Sequence, residues 1–256
     1  MIFDADTHIT PFQEYAVSCN AERMLEHMDM AGVDKALCWA HRPYSRNQLG
    51  EVLEYLYKAT KDSDRLVGYG WIDPMLGADT AMEMLKRSLT EYGFPGVKFN
   101  GCQNEHFNDD EQKVMPLLEE IAKAGASVAF HTGGDAPDQT NPYRVGKIAK
   151  RFPEMKILMV HIGCGGASYD LSRAAIEVAK ECSNITLVGS DIRTNSLLNA
   201  MKELGPERIC FGSDTPFENM AVEVARYKTM FREKLTEDEM DCVMGRNLMK
   251  FLGCQN

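Results

Sequence analysis

The sequence predicts an α/β protein that folds as a single (β/α)8 barrel. The chain has 256 residues, and α/β barrels form one domain of about 250 residues. Eight short apolar runs alternate with amphipathic segments, which divides the 256 residues into units of about 32. The apolar runs are continuous, which is typical of parallel strands covered on the outside by helices.

The eight predicted strands follow one another along the whole chain. They are Ile2–Thr7, Lys35–Ala40, Leu66–Ile72, Gly96–Asn100, Ser127–His131, Ile157–His161, Ile185–Ser190 and Ile209–Ser213. A doubly wound open sheet shares this alternation but usually has fewer strands at this length, so the barrel is the preferred prediction.

The segments between the strands have the apolar spacing of helices that pack one face against a sheet. Asn20, Asp79, Asp109 and Thr194 stand where helix N-caps are expected. The tail from Thr236 to Leu252 predicts one or two closing helices. We therefore expect residues 1–256 to form one domain.

Composition excludes several classes of protein. Hydrophobic residues make up 44% and charged residues 26%, as in an ordinary globular protein. The net charge of −10 argues against nucleic acid or an anionic membrane as a partner, which leaves a small-molecule substrate. The chain shows no apolar run of about 18–20 residues and no leader, so a cytoplasmic location is expected. The eight cysteines contain no CxxC pair, which favours reduced thiols.

Ionisable residues cluster where the first predicted strand ends. Asp4, Asp6 and His8 stand at alternate positions, so their side chains point to the same face. Unpaired buried charge costs several kcal/mol, and a cation at the barrel mouth would remove that cost. Imidazole and carboxylate together suit Zn²⁺, with Mn²⁺ or Fe²⁺ as alternatives. We interpret Asp4 itself as a structural carboxylate bonded to backbone amides.

Short motifs at the other strand ends resemble those of the amidohydrolase superfamily. They are DADTH on the first strand, GVKF on the fourth, HTG on the fifth, VHIG on the sixth and GSDTPF on the eighth. The match is to the amidohydrolase-2 type, which includes the aminocarboxymuconate-semialdehyde and resorcylate decarboxylases. The segments RLVGYGWIDP, GFPGVKFNG and GRNLMKFLG are also similar to that type. The resemblance covers almost the whole chain and implies a metal-dependent barrel.

The resemblance implies one divalent metal ion, with zinc expected first and manganese or iron as alternatives. Its ligands would be Asp6, His8, His131 and Asp214, and the catalytic groups would be His161 and Asp214. The family usually has histidine at the position of Asp6, although the resorcylate decarboxylase group similarly carries a carboxylate there. An added anionic ligand lowers the Lewis acidity of a metal and favours harder ions such as Mn²⁺. His161, with an ordinary pKa near ~6.5, predicts a limb of the pH–rate profile near neutrality.

Three further residues are candidates for substrate binding. Lys98 on the fourth strand could hold a substrate carboxylate or carry a carbamate between two metals, or it could extend to the barrel mouth as a solvated lysine. We prefer the first role. His41 and Arg42, just past the second strand, could grip an anionic substrate, and an exposed loop is the alternative.

Hydrolysis is the first functional hypothesis, in which a metal-activated water attacks an amide, ester or lactone carbon. The alternative is non-oxidative decarboxylation of a small aromatic or muconate-type acid. A third interpretation is a metal-binding barrel without turnover. Barrels of this type often pair, so a homodimer is compatible with the resemblance.

Overall fold

The computed structural model describes residues 1–13, 18–43, 45–166 and 169–254. The described residues form nine strands. They are β1 Phe3–His8, β2 Lys35–Trp39, β3 Leu66–Gly68, β4 Gly70–Trp71, β5 Gly96–Phe99, β6 Ser127–His131, β7 Ile157–Val160, β8 Ile185–Gly189 and β9 Ile209–Phe211. Each predicted strand has a counterpart within one or two residues, except that the third is divided at Tyr69 into β3 and β4.

The strands close into a barrel of eight parallel positions. Hydrogen bonds between neighbouring strands join β1, β2 and β3 in one sheet, and β4 through β9 in chain order in a second sheet. The backbone N–H of Tyr69 donates to the carbonyl of Cys38 at 2.9 Å, so β3 and β4 occupy one position in the barrel. The last gap closes between β1 and the segment after β9, where Thr7 and Thr215 form a parallel bridge. The chain therefore has the predicted (β/α)8 fold.

Helices cover the outside of the barrel. They are α1 Ala21–Ala31, α2 Leu49–Thr60, α3 Ala78–Lys86, α4 Gly101–Asn104, α5 Met115–Lys123, α6 Pro142–Arg151, α7 Ser172–Glu181, α8 Thr194–Leu204, α9 Met220–Phe231, α10 Glu237–Asp241 and α11 Asn247–Leu252. Wider π-type turns extend α3 over Arg87–Glu91 and join α10 to α11 over Cys242–Arg246. Within the described residues, none of these helices has the length and apolar character needed to span a bilayer.

One of the four predicted helix caps is confirmed. The Asn20 side chain accepts a hydrogen bond from the backbone of Arg23 and caps α1. The predictions for the other three were wrong. Asp79 lies inside the first turn of α3, where its charge complements the helix dipole. Thr194 is already the first residue of α8.

Asp109 is the third misplaced cap, because α5 begins only at Met115. Its carboxylate pairs instead with Arg144 at 2.5 Å and Lys147 at 2.9 Å, both on α6. This ion pairing lowers the pKa of Asp109 below its usual range. The side chain therefore ties the loop before α5 to the neighbouring helix.

The core fills the barrel and the layer between strands and helices. The strand residues are buried almost throughout, which explains why their sequences are continuous apolar runs. Eight cysteines are described as free thiols, as predicted, and those at 38, 164, 182 and 210 are buried. Burial raises the pKa of Cys38 and Cys210 to about 12, so these thiols pack as small apolar groups.

Candidate active site

A pocket of about 200 Å³ opens at the carboxyl ends of the strands. Its described lining residues are His8, Lys98, Asn100, Gln103, His131, Asp135, His161, Gly166, Asp191, Asp214 and Phe217. The carboxyl ends of the strands are where barrel enzymes hold their reacting groups. Five of these residues were named from the sequence, so the strand-end motifs and the pocket coincide.

Three of the four predicted metal ligands lie together at this pocket. Potential ligand atoms of Asp6, His8 and Asp214 lie within 4.8 Å of one another. His8 Nε2 lies 3.3 Å from Asp214 Oδ1 and 3.6 Å from Asp6 Oδ1. The backbone explains the convergence, because the Asp214 N–H donates to the carbonyl of Asp6 at 2.8 Å where the barrel closes.

The ring orientation of His8 is fixed from both sides. Its Nδ1 lies 2.9 Å from the carbonyl oxygen of Ala40, so Nδ1 carries the proton and donates it. The lone pair of Nε2 therefore faces the two carboxylates, and the Trp39 indole N–H also donates to it at 3.2 Å. Burial and the nearby charge of Lys98 hold the pKa of His8 well below its usual value. A neutral imidazole oriented by a backbone carbonyl is the form that binds metals.

Asp6 is held by hydrogen bonds on both of its oxygens. Ser190 Oγ donates to Oδ2 at 2.5 Å, and Lys98 Nζ lies 3.3 Å from Oδ1. Asp4 supports the same strand end, because its Oδ1 accepts from the N–H groups of Asp6 at 3.0 Å and Ser213 at 2.9 Å. This arrangement confirms the interpretation of Asp4 as a structural carboxylate. Burial raises the pKa of Asp4 to about 7.

His131, the fourth predicted ligand, lies beside this group rather than within it. Its ring contacts the ring of His161 with centroids 4.7 Å apart. Its Nε2 is buried, and within the described residues neither this atom nor Asp214 Oδ1 has a hydrogen-bond partner. Burial holds the pKa of His131 well below its usual value, which keeps a lone pair available. Unpartnered nitrogen and carboxylate atoms at one pocket fit a divalent cation.

His161 belongs to a second group of three. Its potential ligand atom lies within 4.8 Å of those of Asp191 and Asp214. The Ser190 hydroxyl donates its proton to Asp6, so it can only accept from His161. The Nδ1–H of His161 therefore donates to Ser190, whose carbonyl oxygen lies 3.1 Å away and whose hydroxyl oxygen lies 3.0 Å away. Nε2 is thereby left as an acceptor. Burial and Lys98 lower the pKa of His161 to about 3, so the predicted limb near neutrality does not follow from this residue.

Asp214 is the carboxyl group whose surroundings favour the protonated form. Burial and the nearby Asp6 carboxylate raise its pKa well above the usual range, with Lys98 acting in the opposite direction. Its backbone adopts a left-handed conformation with φ of 60°. His161 with φ of 69° and Asp191 with φ of 44° do the same. Such conformations are costly outside glycine and are concentrated at functional sites.

Of the predicted substrate residues, Lys98 lines the pocket but is buried against Asp6. His41 is buried behind Phe217, with ring centroids 6.0 Å apart, and burial lowers its pKa to about 4. Arg42 is not among the described lining residues, and its guanidinium lies 3.3 Å from Glu105 on an exposed face. The structure therefore brings only Lys98 of these three to the pocket lining.

Sequence analysis missed several lining residues. Asp191 directly follows Ser190, the end of a predicted strand, and that position was the available indication. Phe217 follows the GSDTP motif and places its ring edge-on to His8, with centroids 5.2 Å apart. Asn100 caps the short helix α4, Gln103 lies within it, and Asp135 lies in a loop; for these three residues the sequence pattern says little about direction.

Comparison with known proteins identifies the family. The amidohydrolase family model matches residues 8–254. The chain belongs to the amidohydrolase family. This membership agrees with the strand-end motifs and with the barrel.

Individual relatives are decarboxylases. The chain is 24% identical to 2-amino-3-carboxymuconate-6-semialdehyde decarboxylase of Dictyostelium discoideum over 76% of its own length. It is 23% identical to gamma-resorcylate decarboxylase of Rhizobium sp. over 64% of its length. In both cases the match spans 63% of the relative.

A solved structure gives the same fold. The dihydroxybenzoic acid decarboxylase of Polaromonas sp., with bound manganese and the inhibitor 2-nitroresorcinol, superposes with a TM-score of 0.72 and 18% identity. The match covers 98% of this chain and 96% of that one. The likeness therefore extends over the whole barrel.

Proposed function

We propose that the protein is a divalent-metal-dependent, non-oxidative decarboxylase of a small planar carboxylic acid, aromatic or muconate-type. The observation that carries the proposal is Asp214, a buried carboxyl group with a raised pKa that is suited to donate a proton and that clusters with Asp6 and His8 and with His161. Decarboxylation requires such a group, because the carbon that loses CO₂ must gain a proton. Sequence analysis placed hydrolysis first, and the relatives favour the alternative.

Four residues would hold the metal: Asp6, His8 and Asp214, with His131 supplying its unpartnered Nε2. A bound divalent cation would supply positive charge that attracts and polarises the oxygens of the substrate. Two carboxylates beside two imidazoles suit Mn²⁺ as well as Zn²⁺. Because manganese is bound in the Polaromonas decarboxylase, we propose Mn²⁺, with Zn²⁺ as the alternative.

The proton steps can be assigned to residues of the chain. Asp214 would bind the cation in its ionised form and donate in its protonated form, giving its proton to the ring carbon that bears the carboxylate. The bond between that carbon and the carboxylate then breaks, its electron pair restores the conjugated ring, and CO₂ leaves. The neutral Nε2 of His161 lies in the same cluster and would pass a proton from water back to Asp214.

The pocket walls fit a flat substrate. About 200 Å³ is smaller than the ~300–1,000 Å³ typical of ligand sites, which limits the substrate to roughly one ring. Phe217 lies at the mouth with 39% of its surface exposed, so a ring face is available for stacking. Asn100 and Gln103 offer amide groups for hydroxyl or carbonyl substituents of the substrate.

A substrate panel tests the proposal. Purified protein loaded with Mn²⁺ or Zn²⁺ is incubated with dihydroxybenzoates, a carboxyvanillate and a muconate-type acid, and CO₂ release is measured. In a second set of assays the protein is incubated with lactones and amides, and the acid or amine released by hydrolysis is measured. We expect CO₂ from at least one acid and a loss of about 10²–10⁴-fold in Asp214→Asn.

The control is Asp62→Asn, which makes the same change at a surface carboxylate that is 87% exposed. This variant should retain full activity. Hydrolysis of a lactone or amide by the parent protein, with no CO₂ from any acid, would reject decarboxylation in favour of hydrolysis.

A further inference from the structure

Lys98 is a buried lysine with an unusual set of neighbours. Its side chain, on β5, is 1% exposed, and its Nζ lies 3.3 Å from Asp6 Oδ1. On its other side, Nζ lies 3.8 Å from the centre of the Trp39 ring and 5.9 Å from that of Trp71. A cation over an indole face is stabilised by the negative quadrupole of the ring.

These neighbours bear on the roles considered from the sequence. A carbamate at Lys98 would place an anion against the face of Trp39 and beside the Asp6 carboxylate, and both contacts are repulsive. Lys98 also lines the pocket, so a substrate carboxylate held there would share the ammonium group with Asp6. Burial lowers the pKa of Lys98, whereas the contacts with Asp6 and with the Trp39 ring favour an unmodified ammonium.

The positive charge of the Lys98 ammonium lies where it would oppose the binding of a metal cation. Asp6 and Asp214 contribute carboxyl groups, and His8 Nε2 lies 3.6 Å from Asp6 Oδ1 and 3.3 Å from Asp214 Oδ1. Lys98 Nζ lies 3.3 Å from the same oxygen of Asp6. A positive charge at this place repels a bound cation and competes with it for Asp6.

We propose that Lys98 is a positioning residue that holds Asp6 and acts as a counter-charge, weakening divalent-metal binding at this site. The inference rests on the metal site of the proposed function. It adds that Lys98 holds Asp6 in one orientation and offsets part of the negative charge of the ligands, so that the site binds the cation less tightly. Removing the charge should therefore tighten metal binding, whereas loss of an ordinary structural residue would weaken it.

The test measures Mn²⁺ dissociation constants on metal-stripped full-length protein by isothermal titration calorimetry. Lys98→Met removes the charge and keeps a long unbranched side chain. We expect its Mn²⁺ dissociation constant to fall by about 10- to 100-fold, the size of a unit-charge effect across several ångströms of protein. Lys98→Gln removes the same charge but retains an N–H donor for Asp6. If the methionine variant does not fold, the Mn²⁺ dissociation constant is measured on this glutamine variant.

The matched control is Lys156→Met, which removes an exposed lysine at the opposite end of the barrel, where Nζ donates to the carbonyl of Phe251 at 2.9 Å. Its dissociation constant should match that of the parent protein. Unchanged or weaker Mn²⁺ binding in the Lys98 variants overturns the proposal, as does a carbamate mass increment on Lys98 in the intact parent protein. Failure of the parent protein to bind Mn²⁺ or Zn²⁺ would instead reject the metal site of the proposed function.

Discussion

Replacing Gly165 by alanine would place a methyl group between two imidazoles of the site. A Cβ at Gly165 would lie 2.7 Å from His131 Cε1 and 2.7 Å from His161 Cδ2. Carbon atoms pack at about 3.5–4.0 Å, so each ring would have to move by roughly 0.8 Å. Gly165 is not among the described residues with positive φ, so alanine fits the backbone and the effect comes from the rings alone.

The expected cost has a structural and a catalytic part. Overpacking of this kind destabilises a protein by about 1–3 kcal/mol. Displacing positioned groups by about 1 Å costs on the order of 10²-fold in rate. Urea unfolding followed by circular dichroism measures the first part, and CO₂ release from the substrate found in the panel measures the second. A variant with the stability and rate of the parent protein would show that the two imidazoles are not held against Gly165.

Gly50→Ala is the matched control. A Cβ there would meet only Met84 Cε at 3.8 Å, which is ordinary contact, and Gly50 lies inside α2. Alanine in a helix is favoured over glycine by about 0.5–1 kcal/mol. This control should therefore gain stability and keep its rate, and a parallel loss in both variants would point to a general intolerance of substitution.

Three further predictions concern the site and the stability of the barrel. His161→Asn should retain metal measured by elemental analysis while its rate falls by about 10²–10⁴-fold, whereas His131→Ala should lose metal and rate together; equal metal loss in the two variants would make His161 a ligand. Chelation should abolish CO₂ release, and added Mn²⁺ should restore it; activity that persists after full metal removal would contradict the proposed function. Hydrogen bonds from Ser172 and Ser196 lower the pKa of Asp170 to about 2. The ionised Asp170 therefore stabilises the folded protein at pH values above its ordinary pKa of 3.8, and this stabilisation is lost as the pH falls toward 2. The free energy of unfolding in urea at pH 7 should therefore be lower for Asp170→Asn than for the parent protein, by no more than about 1 kcal/mol at this exposed position. The difference between the two proteins should narrow between pH 4 and pH 2. A difference that stays constant with pH would show that ionisation of Asp170 does not stabilise the fold.

The barrel could be predicted because its strands are buried on both faces. Burial of both faces requires continuous apolar runs, and eight of them at regular spacing leave few alternatives. The division of the third strand at Tyr69 was missed, although Gly68 and Gly70 flank that residue and glycine inside a strand often marks a bulge or a bend. The misplaced cap at Asp109 has another origin, since its partners Arg144 and Lys147 lie on a different helix.

The site was predictable to the extent that its residues come from strand ends. His8, His161 and Asp214 line one pocket, and Asp6 lies beside His8 and Asp214, because parallel strands share a polarity. Pairings between distant residues were not predictable. Lys98 meets Asp6 across 92 positions of sequence, and no local pattern specifies such a contact.

The carboxyl groups of Asp6 and Asp214 differ in what surrounds them, and that difference bears on the roles proposed for them. Asp6 has a hydrogen-bond donor on each oxygen, Ser190 on one and the Lys98 ammonium on the other. Within the described residues, Asp214 Oδ1 has no donor, and burial beside the Asp6 carboxylate raises the pKa of Asp214 well above its usual range. When two neighbouring acids have environments that separate their pKa values, the acid with the higher value is the one suited to donate a proton. In the proposed function, Asp6 with its two donors would therefore be the anchored carboxylate, and Asp214 would be the group that gives a proton to the substrate.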